Sequence, residues 1–224
     1  MKKGKTFFNI IIIITMLTLI FFVGYISYYY ISKYLALKEA EKAVEEFEND
    51  VIVVAIEGEE NVQNVIKEET PINQNVNNTQ NKVTSNQTSS KVTYKGYSMI
   101  GTIQIPKTKV KAPIVDKVTV NSISAAVGTL YGPGLNEVGN TVLVAHNYRN
   151  GTFFSNNKNL VVGDKIYITD SLGKKVEYTI YKTYLTDEMD FSYATRNTNG
   201  KREISLSTCT TDATKRLVIW AKEI

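Results

Sequence analysis

The sequence predicts an all-β domain carried behind an N-terminal transmembrane helix. Three observations predict it. Residues 7–30 are almost all apolar or aromatic and carry no charge. Residues 73–91 are dominated by Asn, Gln, Thr and Ser. From Tyr94 onward, short runs rich in Val, Ile, Thr and Tyr are punctuated by Gly, Pro and Asn, the pattern of successive strands.

The apolar run comes first in the chain. Its length suits a helix crossing a hydrocarbon core of ~30 Å. It exceeds a signal-peptide core, and no small-x-small cleavage site follows it. Tyr25, Tyr28, Tyr29 and Tyr30 supply the aromatic residues that favour a membrane interface. Residues 1–6 carry Lys2, Lys3 and Lys5 with no acid, which places the N-terminus in the cytoplasm and the rest outside the cell. The following stretch, 33–69, holds four lysines against eleven acidic residues.

Residues 31–70 read as an extracellular stalk. From Ser32 to Asp50, Leu35, Leu37, Ala40, Ala43, Val44 and Phe47 fall near one helical face. The apolar run Val51–Ile56 is open between a strand and a helix continuation on the membrane or on the folded domain. Residues 71–95 read as a flexible linker with little to bury.

Residues 96–224 form the folded domain. Its expected strands are 99–105, 109–115, 126–131, 140–146, 165–170, 174–186, 202–209 and 216–223, with a short helix at 121–126. Ser171-Leu172-Gly173-Lys174 reads as a tight hairpin connection. Eight strands in this length point to a closed or partly closed barrel, although periodicity alone does not separate that from a sandwich. This portion is basic, but no Lys/Arg cluster is interleaved with aromatics, so no nucleic-acid partner is expected. The basic surface reads as an ordinary solvated one, with attraction to anionic polymers or lipid as the alternative.

The chain has one cysteine, Cys209, and one histidine, His146. A disulfide framework is therefore impossible within the chain. A zinc site built from one of each is excluded on ligand number. Cys209 closes the alternating run Ile204-Ser205-Leu206-Ser207-Thr208-Cys209, and Arg216 opens the next. A lone cysteine is commonly an inert buried hydrophobe, so reactivity depends on what surrounds it. A thiol, an imidazole and a guanidinium at strand ends can supply a nucleophile, a proton shuttle and an oxyanion partner. The charge of Arg216 also favours a thiolate.

Leu206-Ser207-Thr208-Cys209 followed by Arg216-Leu217-Val218-Ile219 resembles the active-site signature of sortases, membrane-anchored cysteine transpeptidases of Gram-positive bacteria. The usual pattern begins Thr-Leu-x-Thr-Cys; Ser205 stands at the position of that first Thr and keeps a hydroxyl. Asn140-Thr141-Val142-Leu143-Val144-Ala145-His146-Asn147 resembles the family's strand ending in its histidine. Gly101–Pro106, Pro113–Val115 and Gly163–Ile168 resemble other strands of the fold. The resemblance covers about 100–224.

The resemblance implies an eight-stranded sortase-like β-barrel with short helices. It implies Cys209, His146 and Arg216 as catalytic residues, and a sorting motif of the Leu-Pro-x-Thr-Gly type cleaved between Thr and Gly. The acyl group would pass to an amine of a peptidoglycan precursor or cross-bridge. The substrate groove would lie between 141–145 and 204–208, under the connection 187–201. Thr208, Ala145, Leu206 and Tyr193 are the expected substrate-binding residues, with Phe191 and Ala194 as further lining. No cofactor or metal is expected, although Asp187, Glu188 and Asp190 leave calcium stimulation open.

The connection 187–201 is short for a class B enzyme, whereas the ending Arg216–Lys222 resembles that class. No apolar segment follows Ile224, and no lid motif precedes the barrel. These features favour a class A- or D-like enzyme. Two alternatives stay open at this level: a hydrolytic cysteine endopeptidase, and a non-catalytic cell-wall-binding β-domain with an inert thiol.

Overall fold

The computed structural model describes residues 2–66 and 92–224. The expected linker core, 73–91, lies outside the described residues. Two compact units divide the chain, one ending at Glu41 and one running from Lys42 to Ile224.

Helix α1 (Lys2–Ile66) contains the apolar run. It is the one described helix long and apolar enough to cross a membrane, with a mean hydropathy of 2.6 in its most apolar window. Its apolar side chains from Phe8 to Leu37 are exposed, as an anchor's would be. The helix runs through Val51–Ile56, which answers the open reading of that segment in favour of a helix continuation.

The second unit is built on nine strands: β1 (Thr93–Tyr94), β2 (Tyr97–Ile105), β3 (Val110–Val115), β4 (Val127–Tyr131), β5 (Gly139–Val144), β6 (Lys165–Asp170), β7 (Lys175–Asp187), β8 (Arg202–Cys209) and β9 (Lys215–Glu223). The order β2-β3-β4-β5-β8-β9-β7-β6 closes through a β2–β6 pairing into an eight-stranded barrel. Closure leaves no open edge along this ring, which decides between barrel and sandwich. Strand β1 is an addition to the expected set. It forms a hairpin with β2 across Lys95 and Gly96, both in the left-handed region.

Inward alternation builds the core. Ile103, Ile105, Ile114, Leu143, Ile166, Ile168, Tyr178, Ile180, Ile204, Leu206 and Ile219 join one apolar cluster. The short helix α2 (Val120–Ala125) starts one residue earlier than expected. Thr119 caps it: its hydroxyl accepts from Ser122 N, and Ser122 Oγ accepts from Thr119 N.

The N-terminal part of the second unit is helical. Val44, Phe47 and Val51 are almost fully buried there. Glu48 accepts hydrogen bonds from Thr102 Oγ1 at 2.9 Å and Gln104 Nε2 at 3.1 Å, both on β2. Glu45 pairs with Lys111 on β3. The apolar face expected of a stalk is therefore covered by the barrel from Lys42 onward. Full burial of such a side chain stabilises by roughly 1.5–3 kcal/mol.

Gly132 permits the turn from β4 towards β5. Its φ is +120°, and a Cβ there would fall 2.4 Å from Asn140 O. Gly132→Ala combines left-handed strain with a backbone clash, so a loss of about 2 kcal/mol or more is expected. Urea unfolding followed by the emission of Trp220, the single tryptophan, measures it. An unchanged midpoint would refute the packing argument.

Candidate active site

The barrel topology brings the three expected catalytic residues to one edge. Strands β5 and β8 pair in parallel, with Val144 opposite Ser207, so their C-terminal ends emerge together. His146 lies two residues beyond the end of β5, and Cys209 ends β8. Strand β9 runs antiparallel to β8, which sets Arg216 directly opposite Cys209.

Arg216 Nη1 donates to Cys209 Sγ at 2.7 Å. A permanently charged donor on the sulfur is a charge-assisted contact and holds the guanidinium where negative charge would develop. Cys209 is half-buried. The segment around His146 is tied to the same edge. Thr208 Oγ1 donates to Ala145 O at 2.7 Å, and Asn147 Nδ2 donates to Cys209 O at 3.0 Å. The His146 ring lies 4.9 Å from the Tyr148 ring, centroid to centroid. Partial burial holds the imidazole below its ordinary pKa of 6.5, because desolvation penalises the cation.

A cavity of ≈ 310 Å³ opens beside the thiol. Its lining includes Phe154, Leu185, Thr208, Cys209 and Leu217. Phe154 and Leu185 were not singled out by sequence reasoning, because each lies in a segment with no feature marking it as adjacent to the thiol. Thr208 thus sits at the cavity, although its hydroxyl already serves Ala145.

The other expected substrate-binding residues are placed differently. Leu206 is 1% exposed inside the barrel core, and Ala145 joins the same cluster. The two-residue period explains Leu206: it alternates with Ser205 and Ser207 and so takes the opposite, inward face. Tyr193 is 2% exposed, packs with Val142, Ala194 and Val218, and donates its hydroxyl to Ser207 Oγ at 3.1 Å. These three side chains offer no free surface to a ligand. Phe191 remains about half exposed.

Ser205 and Ser207 are buried although they alternate with core residues, because the connection between β7 and β8 covers them. Asn140 Nδ2 donates to Tyr193 O and Ala194 O, pinning that connection to β5. Arg196, on the connection, donates to Asn140 Oδ1 at 2.9 Å and pairs with Glu203. Its guanidinium lies 4.6 Å from the Trp220 ring centroid. Ser205 Oγ donates to Asn140 Oδ1 at 2.9 Å, so the hydroxyl at this signature position serves a buried polar network.

One carboxylate of the acidic turn in the same connection is bonded within it. Asp190 accepts from Thr186 Oγ1 and Ser192 N, which hold its carboxyl below the ordinary carboxylate range. Among the described residues no group of three or more His, Cys, Asp or Glu is placed to hold a metal ion.

The sortase domain model matches residues 103–224, more than half of the chain. The chain belongs to the sortase family. Solved structures agree on the fold. Sortase A from Corynebacterium diphtheriae matches at 25% identity and a TM-score of 0.52, covering 57% of this chain and 61% of that one. This chain thus spans less than two thirds of that relative. Streptococcus agalactiae sortase C1 matches at 26% identity and a TM-score of 0.51, covering 56% of this chain and 69% of that one. A Clostridium perfringens sortase D5 transpeptidase matches at 23% identity and a TM-score of 0.58, covering 84% of this chain and 99% of that one; it carries the fold alone. These relatives bear three class letters, and the class of this sortase is not fixed by them. No curated protein gives a sequence match to the chain.

Proposed function

We propose that this sortase is a cysteine transpeptidase that cleaves a Leu-Pro-x-Thr-Gly-type sorting motif and transfers the surface protein to a cell-wall amine. The observation that carries the reading is the Arg216 guanidinium on the Cys209 sulfur, at the edge where the β5 end delivers His146.

In this reading Cys209 attacks the Thr carbonyl as its thiol proton passes to His146. Arg216 stabilises the tetrahedral oxyanion. His146 protonates the departing amine, and a thioester remains on Cys209. An incoming amine, deprotonated by His146, attacks the thioester carbonyl and releases the thiol. The substrate runs beside β5 and β8, with its apolar part near the connection 187–201. Arginine rather than a carboxylate supports the thiol, so no acidic triad member is required. The helix α1 anchors the enzyme in the cell membrane, with the N-terminus cytoplasmic and the barrel outside.

The test incubates the full chain with a panel of Leu-Pro-x-Thr-Gly-like peptides and either oligoglycine or a diaminopimelate-type amine. Mass spectrometry follows the products. Amine-dependent ligation is expected. Hydrolysis unaffected by amine would identify an endopeptidase instead. No product together with an unreactive thiol would leave a binding domain.

The pH dependence is a second check. The depressed His146 pKa keeps the imidazole neutral until the pH falls below 6.5. A general base must be unprotonated to act, so His146 governs the acid limb of kcat/KM. That limb is therefore expected below pH 6.5. A midpoint above 6.5 would refute the assignment of His146 to it.

A further inference from the structure

The docked part of α1 changes how far the barrel can travel from its anchor. Val44, Phe47 and Val51 are 0%, 1% and 4% exposed, a stripe at helical spacing. Polar contacts flank that stripe on two strands: Glu48 with Thr102 and Gln104 of β2, and Glu45 with Lys111 of β3. Thr102 is itself fully buried, so Glu48 satisfies a hydroxyl sealed under the helix. The far end is fitted as closely. A Cβ on Gly173, in the β6–β7 turn, would lie 2.7 Å from Val51 Cγ1. The turn glycine therefore serves both its own φ of +79° and the approach of the helix.

We infer that residues 42–51 dock on the outer face of β2, β3 and the β6–β7 turn as a leash, which keeps the catalytic barrel close to the membrane. With the segment docked, the tether from the apolar run to the catalytic unit is residues 31–41. Those residues are helical within α1 and so span only ~17 Å. With the segment released, the tether becomes residues 31–92; its helical part to Ile66 spans ~54 Å and the remaining chain reaches at most ~90 Å more. The released barrel samples a far larger volume around its anchor, so docking raises its concentration near the anchor on the order of tenfold or more. The leash favours a substrate presented at the membrane surface over one further out. Its catalytic consequence rests on the transpeptidase reading above; the docking itself does not.

The experiment uses the full chain in phospholipid vesicles, alongside Phe47→Asp and Glu48→Lys. Hydrogen exchange reads the docking in residues 42–51. Turnover is measured on one peptide from the panel, either lipid-anchored through a short spacer in the same vesicles or free in solution. Trp220 emission verifies that the barrel is folded in each variant. The wild-type segment is expected to exchange at least about tenfold more slowly than in Phe47→Asp. The variant is expected to lose about tenfold in rate on the anchored peptide, and to stay within about twofold on the free one. Glu48→Lys should shift both readouts in the same direction. Equal exchange in wild type and variants overturns the docking. Faster exchange with unchanged turnover of the anchored peptide overturns the leash. If exchange differs but the wild type turns over neither peptide, the docking stands and the transpeptidase reading falls, taking the leash's catalytic role with it.

Discussion

Cys209→Ala is expected to abolish ligation, with a loss of at least ~10⁴-fold in kcat/KM and no change in fold. Covalent catalysis depends on a single atom here: without Sγ there is no thioester, and the amide must be attacked directly. The chain holds no second thiol to substitute. Folding should survive, because Cys209 is only half-buried at the end of β8, and its backbone bond to Asn147 Nδ2 uses the carbonyl. Trp220 emission and ligation rate, measured on the same sample, separate the two effects. A variant that stays folded and still ligates would refute Cys209 as nucleophile. Alkylating the wild-type thiol should give the same loss.

Much of the barrel is legible in the sequence because its strands alternate. The expected runs at 99–105, 165–170 and 202–209 fall within or match observed strands, since Val, Ile and Thr on a two-residue period specify both extension and an inward face. The hairpin at Ser171–Lys174 is legible through its glycine, which takes a positive φ. Strand β1 escapes the same logic: two residues carry no period.

The site divides along the same line. The Cys209–Arg216 pairing is nearly local, since a short antiparallel return sets the two side by side. The placement of His146 is not local. It follows from parallel pairing of β5 and β8, strands separated by two others in sequence, and no pattern within either run encodes that partner. Only the family resemblance supplied it. Cover by the connection 187–201 likewise came only from the resemblance. Within their own run Ser205 and Ser207 simply alternate with apolar residues, and nothing there announces their bonds to Asn140, Arg196 and Tyr193. Val44 and Phe47 belong to the expected amphipathic face, whereas Val51 falls in the run left open, and periodicity does not say which surface that face covers.

Arg216 should be nearly as intolerant as the nucleophile, and for a different reason. Arg216→Ala is expected to lower kcat/KM by about 10²–10³-fold, the usual cost of removing an oxyanion donor. Arg216→Lys is the sharper probe, because it keeps a positive charge. If charge alone mattered, lysine would restore most of the rate. Guanidinium presents several donors in a fixed plane, so one can hold the sulfur while another meets the developing oxyanion. Lysine's ammonium is a compact point charge on a flexible stem and cannot reproduce that fork. The lysine variant is therefore expected to remain at least about tenfold below wild type. Steady-state kinetics with saturating amine measures it, and the split matters. An effect confined to KM would mean that Arg216 only binds substrate, whereas a fall in kcat places it in the transition state. Full activity of the lysine variant would overturn the donor role and leave a purely electrostatic one.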